Sequence, residues 1–143
     1  MNADYCVVDA NIVAKWFLDE AHSDEARRLR DWPGGLLAPF LLLSESASIF
    51  LKKVRGGAMR REDALAALAA VPGYLSLRDE TSVLGAAFEL ARLHGRSAYD
   101  CVYVALAVAE SARLVTADQR LFNSLHPHLP DTLIWVGDLP ALV

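Results

Sequence analysis

The sequence predicts an α/β fold built around a parallel β-sheet. Five short apolar segments alternate along the chain with longer segments whose apolar residues recur at helical spacing. The short segments are continuous apolar runs, which is typical of strands that helices cover on both faces. Strands that alternate with helices favour parallel pairing. The predicted strands occupy residues 5–9, 36–39, 74–77, 113–116 and 132–136.

Seven segments with helical spacing separate or follow these strands. Turn residues mark several of their ends: Gly56 follows the third segment, Pro72 the fourth and Gly95 the fifth. No internal repeat or low-complexity linker interrupts the pattern, so residues 1–143 are predicted to form a single domain. The predicted helices occupy residues 11–20, 23–32, 41–54, 61–71, 81–94, 97–110 and 117–125.

The composition indicates a protein that associates with other proteins. Hydrophobic residues make up 54% of the chain and the mean hydropathy is +0.24, yet no apolar run reaches the ~20 residues that a membrane span needs. Apolar surface left after folding is expected to contact another protein, as a homodimer, a tight complex or both. The start of the chain lacks the basic segment of a secretory signal, and Cys6 and Cys101 have no disulfide or zinc-site spacing. We therefore expect reduced thiols and a cytoplasmic location.

Three aspartates stand where a local structural role is available. Asp9 ends the first predicted strand and is placed to cap the next helix, and Asp118 is a candidate N-cap after the fourth strand. Asp100 completes the Ser-x-x-Asp pattern of a capping box ahead of the apolar run 101–109. Helix capping explains each of them singly. However, Asp9 lies at the carboxyl end of the first predicted strand and Asp118 just past the end of the fourth, and the carboxyl ends of neighbouring parallel strands form the usual ligand site of such sheets.

Glu45 lies in an unfavourable place for a carboxylate. In the predicted helix 41–54 it stands in one row between Leu42 and Ile49. That row borders the face predicted to be buried, which comprises Leu43, Ala47, Phe50 and Val54. An ionised carboxylate removed from water is costly unless it is paired or bound to a cation. The alternative is that Glu45 reaches water at the edge of the stripe.

A convergence of four acids from four segments predicts a divalent cation. Carboxylates held close together repel one another and raise each other's pKa values. A bound cation relieves that repulsion, and oxygen ligands suit Mg2+ or Mn2+.

Four stretches of the sequence resemble the four acidic motifs of PIN-domain ribonucleases, and their order and the chain length resemble VapC-type toxins of bacterial toxin–antitoxin pairs. The stretches are VVDANIVAKW with Asp9, LLLSESASIF with Glu45, SAYDCVYVALA with Asp100 and LVTADQRL with Asp118. The resemblance implies a PIN-like three-layer sandwich whose five-stranded parallel sheet has the order 3-2-1-4-5. That order places the strands that end near Asp9 and Asp118 side by side.

The resemblance also implies an activity: Mg2+-dependent hydrolysis of RNA, with Mn2+ as a substitute ion and a cognate antitoxin protein as partner. Asn11 and Thr116 match positions that often support the site, although DAN stands where DAS or DTS is more frequent. A metal-activated water would attack phosphorus and leave 5′-phosphate and 3′-hydroxyl ends. One or two ions would be held, directly or through water, by Asp9, Glu45, Asp100 and Asp118.

The charge of the chain is acidic overall, with one basic segment. A net charge of −4 argues against a general nucleic-acid coat protein, whose surface should be basic. The basic segment lies at a predicted corner between two helices and contains Lys52, Lys53, Arg55, Arg60 and Arg61. Its alternatives are a solvated face, a grip on RNA phosphates, or a dock for an acidic segment of an antitoxin.

Two other functions fit parts of the pattern. A haloacid-dehalogenase-like phosphatase uses Mg2+ on a similar sheet, but it needs a second Asp where this chain has Asn11. The paired early acids of a response-regulator receiver are also missing. A PIN fold that serves only as a binding module is the non-enzymatic alternative, and the presence of all four acids argues against it.

Overall fold

The computed structural model describes residues 5–141 and contains the predicted five-stranded parallel sheet, with the strands in the order 3-2-1-4-5 by their position in the chain. The strands are β1 (Cys6–Val8), β2 (Leu36–Pro39), β3 (Ser76–Arg78), β4 (Arg113–Thr116) and β5 (Leu133–Trp135). The helices are α1 (Ala10–Trp16), α2 (Ser23–Arg28), α3 (Leu41–Arg55), α4 (Arg61–Ala70), α5 (Leu84–His94), α6 (Ala98–Ala109) and α7 (Gln119–Leu125). The single-domain organisation of residues 1–143 stays a prediction.

The register of the two central strands determines where polar side chains leave the sheet. Val8 of β1 pairs with Val115 of β4, so Asp9 and Thr116 follow side by side at the carboxyl edge. All of β1 is buried, because helices cover both faces of the sheet. The chain moves outward from β1 in opposite directions, to β2 and to β4, which creates the crevice where sheets of this type bind ligands.

Helix α6 runs through the interior of the molecule. Its residues from Cys101 to Ala107 are consecutively buried, and it packs against α5 and against β1, β2 and β4. A helix that is apolar around its whole circumference is stable only in such a place. The Ser97 hydroxyl caps it by accepting a hydrogen bond from the Asp100 backbone N–H at 3.1 Å. The first turn of the helix therefore brings Asp100 to the rim of the core.

Helix α1 is shorter than the predicted segment 11–20 because side chains satisfy the carbonyl groups that follow it. The helix ends at Trp16. Arg27 donates to the Trp16 carbonyl at 3.2 Å and to the Leu18 carbonyl at 2.9 Å. The Ser23 hydroxyl also donates to the Leu18 carbonyl, at 2.6 Å. These contacts replace the intrahelical bonds that a longer helix would make.

Strand β3 begins two residues later than predicted. The residues just ahead of it form a 3₁₀ turn, Val71–Tyr74, with Pro72 near its start. The fixed φ of proline suits the first turn of a helix, so the chain continues as a helical turn before it extends. The strand that follows is Ser76–Arg78 instead of 74–77.

The buried face of α3 also differs from the predicted one. Phe50 is buried as expected, but Leu43, Ala47 and Val54 are only partly buried. The fully buried residues of α3 are Leu42, Ser46 and Phe50. Since α3 contacts α1, α4 and β2, its covered surface is wider than one apolar stripe. The prediction for Glu45 holds in one respect, because its side chain is partly buried.

Two further features bear on the sequence predictions. Within residues 5–141, no helix has both the length and the apolar character needed to cross a membrane. Cys6 and Cys101 are free and buried. Burial raises the pKa of Cys6 to about 12 and that of Cys101 to about 11, so both thiols stay protonated and unreactive at neutral pH.

Candidate active site

The four acids singled out in the sequence line one cavity at the carboxyl edge of the sheet. The cavity has a volume of about 450 Å³, and its walls come from the starts of α1, α6 and α7 and from one face of α3. Asn11 also lines it. The acids that meet there are Asp9, Glu45, Asp100 and Asp118.

Asp9 is buried and held by hydrogen bonds to both of its carboxylate oxygens. Its side chain is 5% exposed. Oδ1 accepts from the Ile12 N–H at 3.0 Å, which caps α1, and Oδ2 accepts from the Thr116 hydroxyl at 2.6 Å. The pKa of Asp9 is raised to about 6: burial is the main cause, the two hydrogen bonds oppose it, and the charges of Asp118 and Asp100 add to the rise. The predicted cap is therefore also a member of the acidic cluster.

Thr116 connects two of the acids. It ends β4 and is fully buried. Its hydroxyl donates to Asp9 and accepts from the Asp118 backbone N–H at 3.0 Å. Asp118 Oδ1 in turn accepts from the N–H groups of Arg120 and Leu121, at 3.0 and 3.1 Å, and so caps α7 as predicted. One threonine thus fixes the Asp9 carboxylate and the start of the segment that carries Asp118.

Asp100 lies in the first turn of α6, where it is partly buried. Burial raises its pKa, and the nearby charge of Asp118 acts in the same direction. A hydrogen bond with Ser97 and the positive charge of Arg96 oppose that rise. The helix N-terminus also favours a negative charge at this position. Asp100 therefore lies beside the predicted helix cap. It also interacts electrostatically with Asp118, which a capping role does not explain.

Glu45 is paired with Tyr103, a partner that the sequence did not assign. The Tyr103 hydroxyl donates to Glu45 Oε1 at 2.5 Å, across 58 positions of the chain. Burial raises the pKa of Glu45, the bond from Tyr103 lowers it, and the charge of Asp100 raises it. Burial and the contact with Glu45 also raise the pKa of Tyr103, so its hydroxyl remains a donor.

Ser44, Ser48 and Tyr99 are further cavity residues to which the sequence reasoning gave no role at this site. Both serines are exposed on α3, and Tyr99 is 63% exposed. The available signal was helical spacing, because Ser44 and Ser48 lie one turn apart on the same side of the helix as Glu45. They add two hydroxyl groups to the polar groups of the cavity wall.

The basic segment does not line this cavity. Arg55 lies ten residues after Glu45 on α3, which corresponds to about 15 Å along the helix axis. Three of its five residues are in ion pairs: Lys53 with Glu20 at 3.3 Å, Arg60 with Asp63 at 3.0 Å, and Arg61 with Glu62 at 3.8 Å. All are near the surface, where such pairs stabilise weakly and leave the side chains able to exchange partners.

The acidic cavity fits a divalent ion that keeps part of its water shell. Within residues 5–141, no three His, Cys, Asp or Glu side chains lie close enough together to form a ready-made metal site. Mg2+ usually retains several waters and binds through one or two carboxylates, so it does not need such a group. The donors of the cavity include four carboxylates, and mutual repulsion contributes to the raised pKa values of Asp9, Glu45 and Asp100. A cation at this place would remove that repulsion.

The protein is therefore an α/β protein with a parallel sheet. Its acidic cavity lies at the topological switch point, where the carboxyl edge of the sheet brings carboxylates together. The chain belongs to the PIN domain family, whose model matches residues 6–125. The predicted fold class, including the strand order 3-2-1-4-5, is therefore confirmed.

One known protein is similar to this chain in sequence, and two solved structures are similar to it in fold. Ribonuclease VapC3 from Pyrobaculum aerophilum is 33% identical over 118 residues, which cover 80% of this chain and 90% of that protein. The structure of PAE2754 from Pyrobaculum aerophilum has a TM-score of 0.72 and 23% identity, and the match covers 96% of this chain and 94% of the other. A chain of VapBC2 from Rickettsia felis, solved bound to a DNA fragment from its promoter, has a TM-score of 0.64 and 16% identity, with coverage of 92% and 98%. The predicted resemblance to VapC-type PIN-domain proteins is confirmed.

Proposed function

We propose that this protein is a metal-dependent endoribonuclease that acts as the toxin of a toxin–antitoxin pair. The observation that carries the proposal is the convergence of four carboxylates on one cavity of a PIN fold. The 33% identity to a protein named as a ribonuclease supports RNA as the substrate. The residues proposed for catalysis and metal binding are Asp9, Glu45, Asp100 and Asp118.

The chain's own residues would hold and orient the reacting groups. A bound Mg2+ or Mn2+ ion supplies positive charge at the scissile phosphate and activates water for attack on phosphorus. Asp9 is pre-oriented for ion binding because Ile12 and Thr116 fix both of its oxygens. Thr116 supports the site through this hydrogen bond, and Asn11 presents an amide at the cavity wall. Within residues 5–141, the cavity lining contains no histidine, and we propose that carboxylates and the ion would carry the acid–base chemistry.

Cleavage of RNA with and without divalent ions tests the proposal. Total RNA, which contains transfer, ribosomal and messenger RNA, is incubated with the purified protein, and the fragments are mapped by sequencing. We expect cleavage in Mg2+ or Mn2+ that leaves 3′-hydroxyl ends, and none in excess EDTA. Recovery of cleavage after Mg2+ is restored is the control against unfolding. Full cleavage in excess EDTA would contradict metal dependence.

An antitoxin protein is the second partner that we propose. The similarity to a chain of VapBC2 supports such a partner. The basic segment of α3 and α4 is available either to an acidic segment of that protein or to RNA. Lys52 and Arg55 are exposed and make no ion pair within residues 5–141, so they are the members most available to a ligand.

Replacing Lys52, Arg55 and Arg61 together by Gln tests the role of this segment in RNA binding. If all three contact phosphates, the slope of log affinity against log salt should fall by about 2, because each contact with a single strand contributes ~0.7. Fluorescence anisotropy with labelled single-stranded RNA measures the slope. Arg92→Gln is the control, because Arg92 lies outside the basic segment, on α5, where it is paired with Glu89. An unchanged slope in the triple variant would exclude the RNA role and favour the antitoxin.

We also propose that the protein forms a homodimer, and the apolar surface of α5 supports this proposal. Leu84 is 50% exposed and Phe88 is 61% exposed, one turn apart on that helix. Ala87 is the buried residue of α5. We expect sedimentation velocity to give the mass of a dimer, and Phe88→Glu to give a monomer with unchanged circular dichroism. A monomeric wild type would contradict the proposal.

The cytoplasmic location inferred from the sequence stays a prediction.

A further inference from the structure

We infer that Tyr103 is the positioning residue that holds Glu45 at the proposed metal site. The tyrosine would keep the Glu45 carboxylate at a fixed position relative to Asp100. The inference rests on the proposed function, because it assigns a role within the same cavity. It concerns the one acid of the cluster that does not cap a helix or lie in the first turn of one.

Backbone N–H groups bind the carboxylates of two of the other acids, and the third acid lies in the first turn of a helix. Asp9 and Asp118 each accept hydrogen bonds from N–H groups at the start of a helix. Asp100 lies in the first turn of α6, beside the Ser97 cap. An aspartate held in this way has a short side chain and few rotamers to choose from. The carboxylates of Asp9 and Asp118 are therefore expected to occupy nearly the same place with or without a cation.

Glu45 has no comparable backbone support. It stands inside α3, where backbone N–H groups are already used by the helix. Its longer side chain has three rotatable bonds and loses more conformational entropy when it is ordered. Among the described residues, the hydrogen bond from Tyr103 is the one that its carboxylate makes. Burial and, to a smaller extent, the charge of Asp100 disfavour the ionised carboxylate in the cavity, and the hydrogen bond from Tyr103 opposes both.

Tyr103 is well placed to be that donor. The residue is 2% exposed, so close packing restricts movement of the ring. It lies three residues after Asp100 on α6, and residues at this spacing share a helix face. The hydrogen bond therefore fixes Glu45 of α3 relative to the very turn of α6 that carries Asp100.

Calorimetric titration of Mn2+ in the absence of RNA tests the inference. Tyr103→Phe removes the hydroxyl and keeps the ring, and we expect it to weaken Mn2+ binding about tenfold or more, as is typical for residues that orient a metal ligand. Glu45→Gln should weaken binding to a similar extent. The double variant should bind no more weakly than Glu45→Gln alone, because the tyrosine acts through the glutamate. Tyr74→Phe is the matched control, since it removes a hydroxyl from a tyrosine that does not line the cavity.

A second readout separates positioning from general damage. In cleavage assays, Tyr103→Phe should raise the Mg2+ concentration needed for half-maximal rate and leave the rate at saturating Mg2+ close to wild type. Glu45→Asp keeps the charge but withdraws the carboxylate from the hydroxyl, and it should also raise the Mg2+ concentration needed for half-maximal rate, which keeps the inference testable if the tyrosine variant folds poorly.

Three results would overturn the inference. The first is Mn2+ affinity in Tyr103→Phe equal to that of the wild type. The second is a double variant whose loss is the product of the single losses. The third is Glu45→Asp with wild-type affinity. A wild type that binds no Mn2+ and cuts no RNA overturns the proposed function itself, which distinguishes the two failures.

Discussion

Replacement of Asp9 by Asn is expected to abolish RNA cleavage and to leave the fold intact. Asn caps helices as well as Asp does, so the bond from Ile12 to the side chain is retained. The Thr116 hydroxyl is able to accept from the new amide instead of donating to a carboxylate. What is lost is the charge that would bind the ion. A metal ion stabilises the transition state of such reactions by several kcal/mol, so the cleavage rate should fall by roughly a thousandfold or more.

Initial cleavage rates in saturating Mg2+, together with circular dichroism and thermal unfolding, measure this outcome. Asp31→Asn is the matched control, because Asp31 is an exposed aspartate that does not line the cavity. It should cleave at the wild-type rate. An Asp9→Asn variant that is folded and fully active would show that the buried aspartate is only a helix cap.

The second large effect is a loss of stability with rising pH in metal-free solution. The pKa of Asp9 is raised by burial from 3.8 to about 6. Between these values the folded protein binds more protons than the unfolded chain, so the free energy of unfolding decreases as the pH rises through this window. The decrease approaches about 3 kcal/mol when Asp9 is fully ionised above pH 6. Below the unfolded pKa, both states are protonated and the contribution of Asp9 does not change with pH.

Urea unfolding at a series of pH values in EDTA measures this effect as the difference between the wild type and Asp9→Asn. The difference is the appropriate quantity because paired carboxylates elsewhere, such as Glu20, have a lowered pKa and act in the opposite direction. We expect Asp9→Asn to lose stability less steeply than the wild type between pH 4 and 6, and to be more stable above that range. Added Mg2+ should restore the wild type above pH 6 and affect the variant much less. Parallel pH curves for the two proteins would refute the burial of an ionisable group at this position.

Much of the fold was predictable because its determinants are local. Apolar runs define strands, glycines and prolines mark the ends of helices, and Ser97, Asp9 and Asp118 have the residue types that cap them. The strand order came from the family resemblance and is what brings Asp9 beside Thr116. Once strand ends and order are known, the meeting of Asp9 with Asp118 follows from the geometry of a parallel sheet.

The parts that the sequence did not predict depend on contacts between distant segments. The pairing of Glu45 with Tyr103 joins α3 to α6 and has no local signal. The buried face of α3 depends on three neighbouring elements, so the apolar stripe alone gave the wrong set of residues. The end of α1 depends on Arg27, eleven residues beyond the Trp16 carbonyl that it binds.

Crystals soaked in Mn2+ and measured near the manganese absorption edge would show whether the four carboxylates bind a divalent ion. We expect an anomalous peak inside the cavity, coordinated directly or through water by acids from the set Asp9, Glu45, Asp100 and Asp118, and no such peak in Asp9→Asn crystals. Wild-type crystals that hold Mn2+ only at surface sites, with this cavity free of anomalous signal at neutral pH, would contradict it.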